Sequence, residues 1–514
     1  MVTLFQFGLI VFTGLGSLTY GYCSSIIATT LGQPSFIAYF DLATRSNANS
    51  LIGAINGLYQ SGGLFGAVSV LFIPDKVGRR WALFIGGVCC IVGGALQAGS
   101  VHIAMFLIAR FLVGYGIGSL VTLVPLYQSE VSPTSIRGFL VGMGGVMICI
   151  GYITASWVGL GFYFVPGHKQ WRGPLAIQVL PPLLLCLGLN WVPESPRWLL
   201  LRDQSERARA QFRRIHADVA KSLGEHVLEE EFLLLRAQVA QEIKHHVPLK
   251  QFWTQRSLRK RCIIGWLTYA AGQGTGTLVI NNYGPLLYSN LGFNTVQQLL
   301  IQCGWITVAP FVGTINSLIV DRVGRVRLLM FGLAGTLVAL VGECITLSIF
   351  QRTGNRGVAG GAVFFLFLHV FLFGGSYDST SYIYGSEIFP NPVRARGLGI
   401  SITGLFASTI VFLQCAPTAF ASIGWKYYLL FIALDAVMFV VMWLYFPETK
   451  GISLEDIGEV FGDDIVLEDP SVEAVHRRFK ESHYREEALV NLEGDEEKRA
   501  EFGEVERSTI AVKE

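Results

Sequence analysis

Charge is scarce in this chain. Of its 514 residues only 15% are Asp, Glu, Lys or Arg, against about 25% in soluble domains. That shortage excludes an ordinary soluble domain. The net charge is +2 and the charge is confined to loops and a tail, so it carries no message about nucleic acid, and no nucleic-acid partner is expected. Metal-ligand spacing is also lacking. Cys23, Cys89, Cys90, Cys149, Cys186, Cys262, Cys303, Cys344 and Cys415 all fall inside apolar runs and read as small apolar packers, not as a disulfide framework. The pair His245-His246 has no second ligand pair beside it. No G-x-x-x-x-G-K-[ST] loop is present, and no Ser/His/Asp constellation. Gly114-Tyr115-Gly116-Ile117-Gly118 has the letters of a dinucleotide loop, but it lies in an apolar run with no strand before it, so close helix packing is the expectation. The sequence therefore predicts no enzyme, no cofactor and no metal.

What is abundant is apolar sequence: 52% of residues are hydrophobic and the mean hydropathy is +0.48. Runs of about 20 apolar residues, enough to cross a bilayer core, recur at 5–28, 50–73, 82–100, 103–126, 138–163 and 173–192, then at 261–284, 296–320, 327–350, 359–386, 397–420 and 425–446. The predicted fold is an all-α integral membrane protein of twelve transmembrane helices in two six-helix halves. Residues 1–192 form the first half, 193–259 a cytoplasmic linker with short helices, 260–446 the second half, and 447–514 a polar, mostly disordered tail. The first run has no basic flank and no A-x-A cleavage site, so it reads as a first span and not as a signal peptide. It starts almost at Met1, without the tail expected before it, which leaves a longer start open. In the linker, Leu228, Phe232, Leu235 and Val239 recur at helical spacing. Basic residues concentrate in the loops of one face (Lys76, Arg79, Arg80, Arg137, Arg322, Arg325, Arg327, Arg394 and Arg396), which makes that face cytoplasmic and places both termini there.

Three motifs occur twice in the same order. Asp75-Lys76-Val77-Gly78-Arg79-Arg80 matches Asp321-Arg322-Val323-Gly324-Arg325. Ser129-Glu130, with Arg137, matches Ser386-Glu387, with Arg394 and Arg396. Pro193-Glu194-Ser195-Pro196-Arg197 matches Pro447-Glu448-Thr449-Lys450. Two halves repeated in parallel are thus written into the chain. With these motifs, and with Gly424-Trp425-Lys426-Tyr427-Tyr428 and PETKGISLEDI at 447–457, the chain resembles the sugar porter family of the major facilitator superfamily over residues 10–458. The resemblance implies a plasma-membrane carrier that moves a sugar or polyol by alternating access, by uniport or with protons. It also implies a cytoplasmic gate. Asp75, Arg79, Arg80, Glu130, Arg137, Glu194, Arg197, Asp321, Arg325, Glu387, Arg394, Arg396 and Glu448 are its expected members, a charge network holding the halves together in the outward-facing state.

Charges inside the spans are costly and mark function. Arg110 and Asp378 are the candidates; Glu343 and Asp435 are expected either to act or merely to pair. Proton-coupled members of the family carry an acid in a first-span G-Y-D pattern, whereas this chain reads Gly21-Tyr22-Cys23. That favours uniport, with Asp378, paired with Arg110 or alone, as the competing proton carrier. The family's sugar-site positions also depart, at Gly145, Ala309, Tyr382 and Leu405-Phe406, while Gln273 remains. Gln60, Tyr152, Tyr269, Gln273, Asn281, Asn282, Trp305, Asp378 and Tyr382 are the polar and aromatic candidates for binding a polyol. A sugar sensor on the same scaffold and a carrier of a non-sugar solute are the alternatives.

Overall fold

A computed structural model describes residues 4–132, 137–216, 225–244, 247–390, 393–450 and 457–462. Helices account for all of the predicted spans. The first is Leu4–Thr13 with Leu15–Leu31. The second to fifth are Ala48–Ser69, Arg79–Ala98, Ile103–Val131 and Arg137–Tyr163, and the sixth is Lys169–Ile177 with Leu180–Gly188. The seventh is Arg256–Gly274 with Thr277–Asn290. The eighth and ninth are Thr295–Val323 and Arg325–Thr353. The tenth runs from Arg356–Leu372 through a π-helical turn, Phe373–Asp378, to Ser379–Glu387. The eleventh and twelfth are Arg394–Ile423 and Tyr428–Tyr445. Eight described stretches are long and apolar enough to cross a membrane unaided, and one of them, Arg396–Tyr445, contains two spans. The second, sixth and seventh spans fall short for local reasons. The second carries Asn56, Tyr59 and Gln60; the sixth is interrupted at Pro181-Pro182, which cannot donate to the ladder; the seventh breaks at Gly276, whose φ of +78° suits glycine.

The halves meet along the second and eleventh spans. A Cβ on Gly53 would lie 2.3 Å from the backbone Gln414 O, and one on Gly63 would strike the Phe406 ring at 2.3 Å, so glycine allows this approach. The fifth and eighth spans join through Trp157 Nε1, which donates to Thr307 Oγ1 at 3.3 Å, and through Leu160 packed on Leu299 and Cys303. Both lie toward the end of the bundle away from the arginine-rich loops. Residues Ser195–His246 are compact on their own account. In that unit Leu199, Leu200, Ala208, Phe212, Leu228, Phe232 and Val239 share one core with Leu235 packed against it, the stripe that the spacing predicts. Arg209 reaches Glu229 at 2.8 Å. His245-His246 and the tail beyond residue 462 lie outside the described residues.

Candidate functional site

At the arginine-rich end, each repeated motif set closes into one charge cluster. Gly78 has a φ of +96°, which lets the chain turn into the third span at Arg79. Arg79 donates to Glu130 at the end of the fourth span (Nε to Oε2 and Nη2 to Oε1, both 3.0 Å) and to Asp75 Oδ1 at 3.1 Å. Glu194 accepts from the backbone N–H groups of Arg79 (3.0 Å) and Arg80 (3.3 Å). It thereby caps the helix with negative charge where the dipole favours it. Tyr127 fixes the following loop by donating to Pro193 O at 2.6 Å. The second half repeats this design. Gly324 has a φ of +110°. Arg325 donates to Glu387 (2.9 and 3.1 Å) and pairs with Asp321 at 2.7 Å. Glu448 accepts from the N–H groups of Arg325, Val326 and Arg327 at 2.8, 3.1 and 3.4 Å, and Tyr384 donates to Pro447 O at 3.1 Å.

These pairs were expected to tie one half to the other. In this conformation they tie helices within each half, because Arg79 and Arg325 each find a bidentate carboxylate, Glu130 and Glu387, on a helix of their own bundle. Across the halves at this edge, Arg396 Nη2 approaches Asp75 Oδ2 at 3.9 Å, while Arg396 Nη1 donates to Val247 O at 2.9 Å. Arg394 turns back to Phe389 O. Arg197 belongs to the separate linker unit. Arg137 opens the fifth span, and its side chain lies outside the described residues.

At mid-span the fully buried Arg110 does not pair with Asp378. Its guanidinium sits 4.0 Å above the Tyr59 ring and donates to Ile55 O (3.2 Å), Cys23 O (3.4 Å) and Asn56 Oδ1 (3.4 Å). Backbone carbonyls and a ring face thus compensate the cation inside the first half. Trp305 is likewise taken up by packing: it is buried and donates to Leu366 O at 3.0 Å, joining the eighth and tenth spans. Asn282 donates to Leu278 O in its own helix. Gln60 and Asn281 are buried, and Asn281 accepts from Gln302. Glu343 and Asp435 are buried in the second half, Asp435 accepting from Thr336 Oγ1 at 2.9 Å.

The remaining candidates converge between the halves. Asp378 ends the π-helical turn and is exposed, and Tyr382, one turn on, is 38% exposed. Asp378 lies within electrostatic reach of Tyr20 and Cys149, and Tyr382 within reach of Tyr20 and Tyr152, all from the opposite half. The surface they expose therefore belongs to the space between the halves and not to the lipid face. Tyr20 and Tyr152 stand edge-to-face at 6.3 Å, and Tyr269 and Tyr382 at 5.2 Å. Gln273, half-buried on the seventh span, has a buried Oε1 without a partner. Sequence reasoning missed Tyr20, and it missed Ser24 bonded to Tyr59 at 2.8 Å. Tyr20 and Ser24 are one helical turn apart, which is the signal that could have found them.

Residues 9–461 match the family described as Sugar (and other) transporter. Among curated proteins, the chain is 32% identical over 478 residues to the MFS-type transporter criB of Aspergillus cristatus, covering 92% of this chain and 97% of that protein. It is 30% identical over 462 residues to the quinate permease of Emericella nidulans, covering 87% and 86%. Among solved structures, the inward open xylose transporter XylE from E. coli superposes with a TM-score of 0.72 at 23% identity, covering 88% of this chain and 99% of that one.

Proposed function

The chain belongs to the sugar transporter family and is a secondary transporter in the membrane; on that premise we propose how its site is used. A sugar or sugar-like polyol binds between the halves, against Tyr152, Tyr269, Gln273, Asp378 and Tyr382, with the buried Gln60 and Asn282 behind them. The observation that carries this reading is the exposed surface of Asp378 and Tyr382 facing the opposite half in mid-bundle. Amide and phenol groups bond hydroxyls, and ring faces cover C–H patches. The halves rock about this site to open it to each side in turn. Asp378, without Arg110, is the group that would carry a proton if transport is coupled. The arginine-rich end is the cytoplasmic one, the membrane is the plasma membrane, and both termini lie inside. There the charge clusters brace each half as a rigid body, while Asp75 and Arg396 act as the gate between them.

The test is uptake of labelled xylose and glucose into proteoliposomes holding the full chain, with and without an inward proton gradient. Downhill, gradient-independent uptake would assign uniport and free Asp378 of the proton role. Accumulation driven by the gradient and lost in Asp378→Asn would assign symport. Absence of flux for every polyol tried would overturn the reading. A second reading, carriage of a non-sugar solute such as quinate, is favoured by the 30% identity to the quinate permease.

A further inference from the structure

The space between the halves carries a charge and a chemistry of its own. Its exposed ionisable group is the Asp378 carboxylate, which makes no side-chain hydrogen bond to any described residue. Near it stand the phenols of Tyr20 from the first half and Tyr382 from the second, with Tyr152 edge-to-face on Tyr20 at 6.3 Å and Tyr269 on Tyr382 at 5.2 Å. The other ionisable groups buried at mid-bundle are turned away. Arg110 is enclosed by Tyr59 and backbone carbonyls. His369 is bound to Thr275 O at 3.0 Å and stacked on Phe373, and Glu343 and Asp435 are buried in the second half. The Cys149 thiol is a further titratable neighbour of Asp378.

A carboxylate among aromatic rings is chemistry that recognises an ammonium group. Ring faces attract cations through their quadrupole, and the carboxylate adds a charge-assisted hydrogen bond. The same carboxylate repels an anion. We infer that the central site selects by charge, taking polyhydroxylated solutes that bear a protonated amine in preference to neutral ones and rejecting carboxylates, with Asp378 as the specificity-determining residue. The inference rests on the proposed polyol site and narrows its substrate class to amino polyols. It also opposes the quinate reading, because a carboxylate solute would meet Asp378 with like charge.

The test uses one ring in three charge states. Binding of glucosamine, glucose and glucuronate to the purified full-length chain is measured by intrinsic fluorescence and thermal shift at neutral pH. Glucosamine should bind about tenfold more tightly than glucose, and glucuronate should not bind. Asp378→Asn should erase the advantage of glucosamine over glucose, whatever happens to the absolute affinities. Asp378→Glu should keep it, which separates charge from a folding defect, and Tyr382→Leu should reduce it. Equal binding of glucosamine and glucose, an advantage that survives in Asp378→Asn, or glucuronate binding better than glucose would each overturn the inference. Tyramine, an amine without a polyol, is the last arm. Asp378-dependent binding of tyramine with no sugar bound would sustain amine recognition and end the polyol reading. If neither tyramine nor any sugar binds, both fall.

Discussion

The two charge clusters share a plan and differ in depth. In the first half the side chains of Arg79 and Glu130 are 5% and 4% exposed; in the second, those of Arg325 and Glu387 are 12% and 22% exposed. Glu387 also accepts from Thr449 Oγ1 at 2.8 Å, so it keeps a partner should its arginine be lost. Glu448 holds three backbone amides of the Arg325 turn, whereas Glu194 holds two at the Arg79 turn. The first cluster is therefore a sealed ion pair, and the second leans on the cap. The same set of residue types thus supports two different distributions of stability.

The sharpest way to break this comparison is to remove each arginine. Arg79→Ala leaves a buried carboxylate unpaired and should cost about 3–5 kcal/mol. Arg325→Ala leaves Glu387 partly hydrated and still bonded to Thr449, and should cost about 1–2 kcal/mol. Thermal unfolding of the two variants in one detergent should rank them in that order, and equal losses would contradict the burial argument. The caps should rank the other way, with a smaller effect. Glu448→Gln should lower the midpoint more than Glu194→Gln, each costing about 1 kcal/mol. A larger loss for Glu194→Gln would show that amide count does not govern the cap.

The linker unit supplies the smallest effect. His216 is buried against Phe212 at 4.4 Å, and burial pushes its imidazole down to about 4. The folded form holds the ring neutral while the unfolded chain takes up a proton near pH 6.5. Stability is thus complete above about pH 6.5 and drains away as pH falls toward 4. Amide exchange over 205–216, corrected for intrinsic rates, should quicken between pH 7 and pH 5 in the full chain. It should do so less in His216→Gln.

The spans were legible because apolar length is a direct consequence of the bilayer, and the linker stripe because helical spacing reports a buried face. The doubled motifs were legible as turns: glycine at Gly78 and Gly324 is demanded by positive φ. What spacing could not reveal is which carboxylate each arginine would reach. Glu130 and Glu387 lie equally near the edge in sequence, and only the packing of the third span on the fourth, and of the ninth on the tenth, keeps each pair within its own half. Arg110 was legible as a costly buried cation, yet its partners are carbonyl groups and a ring face, which no side-chain motif announces. Trp305 fits an aromatic site by composition, but its indole N–H is satisfied at Leu366.

The π-helical turn Phe373–Asp378 has a mechanical meaning. An α-helix advances about 100° per residue, and such a turn holds one residue more than the regular repeat needs. It acts as an indexing step on a shaft: the part of the tenth span after it is rotated relative to the part before it. Asp378 and Tyr382 owe their aim at the opposite half to that offset. Were the same residues wound as a regular α-helix, both side chains would swing about 100° off axis. The carrier would keep its twelve rods and lose the instrument mounted on one of them.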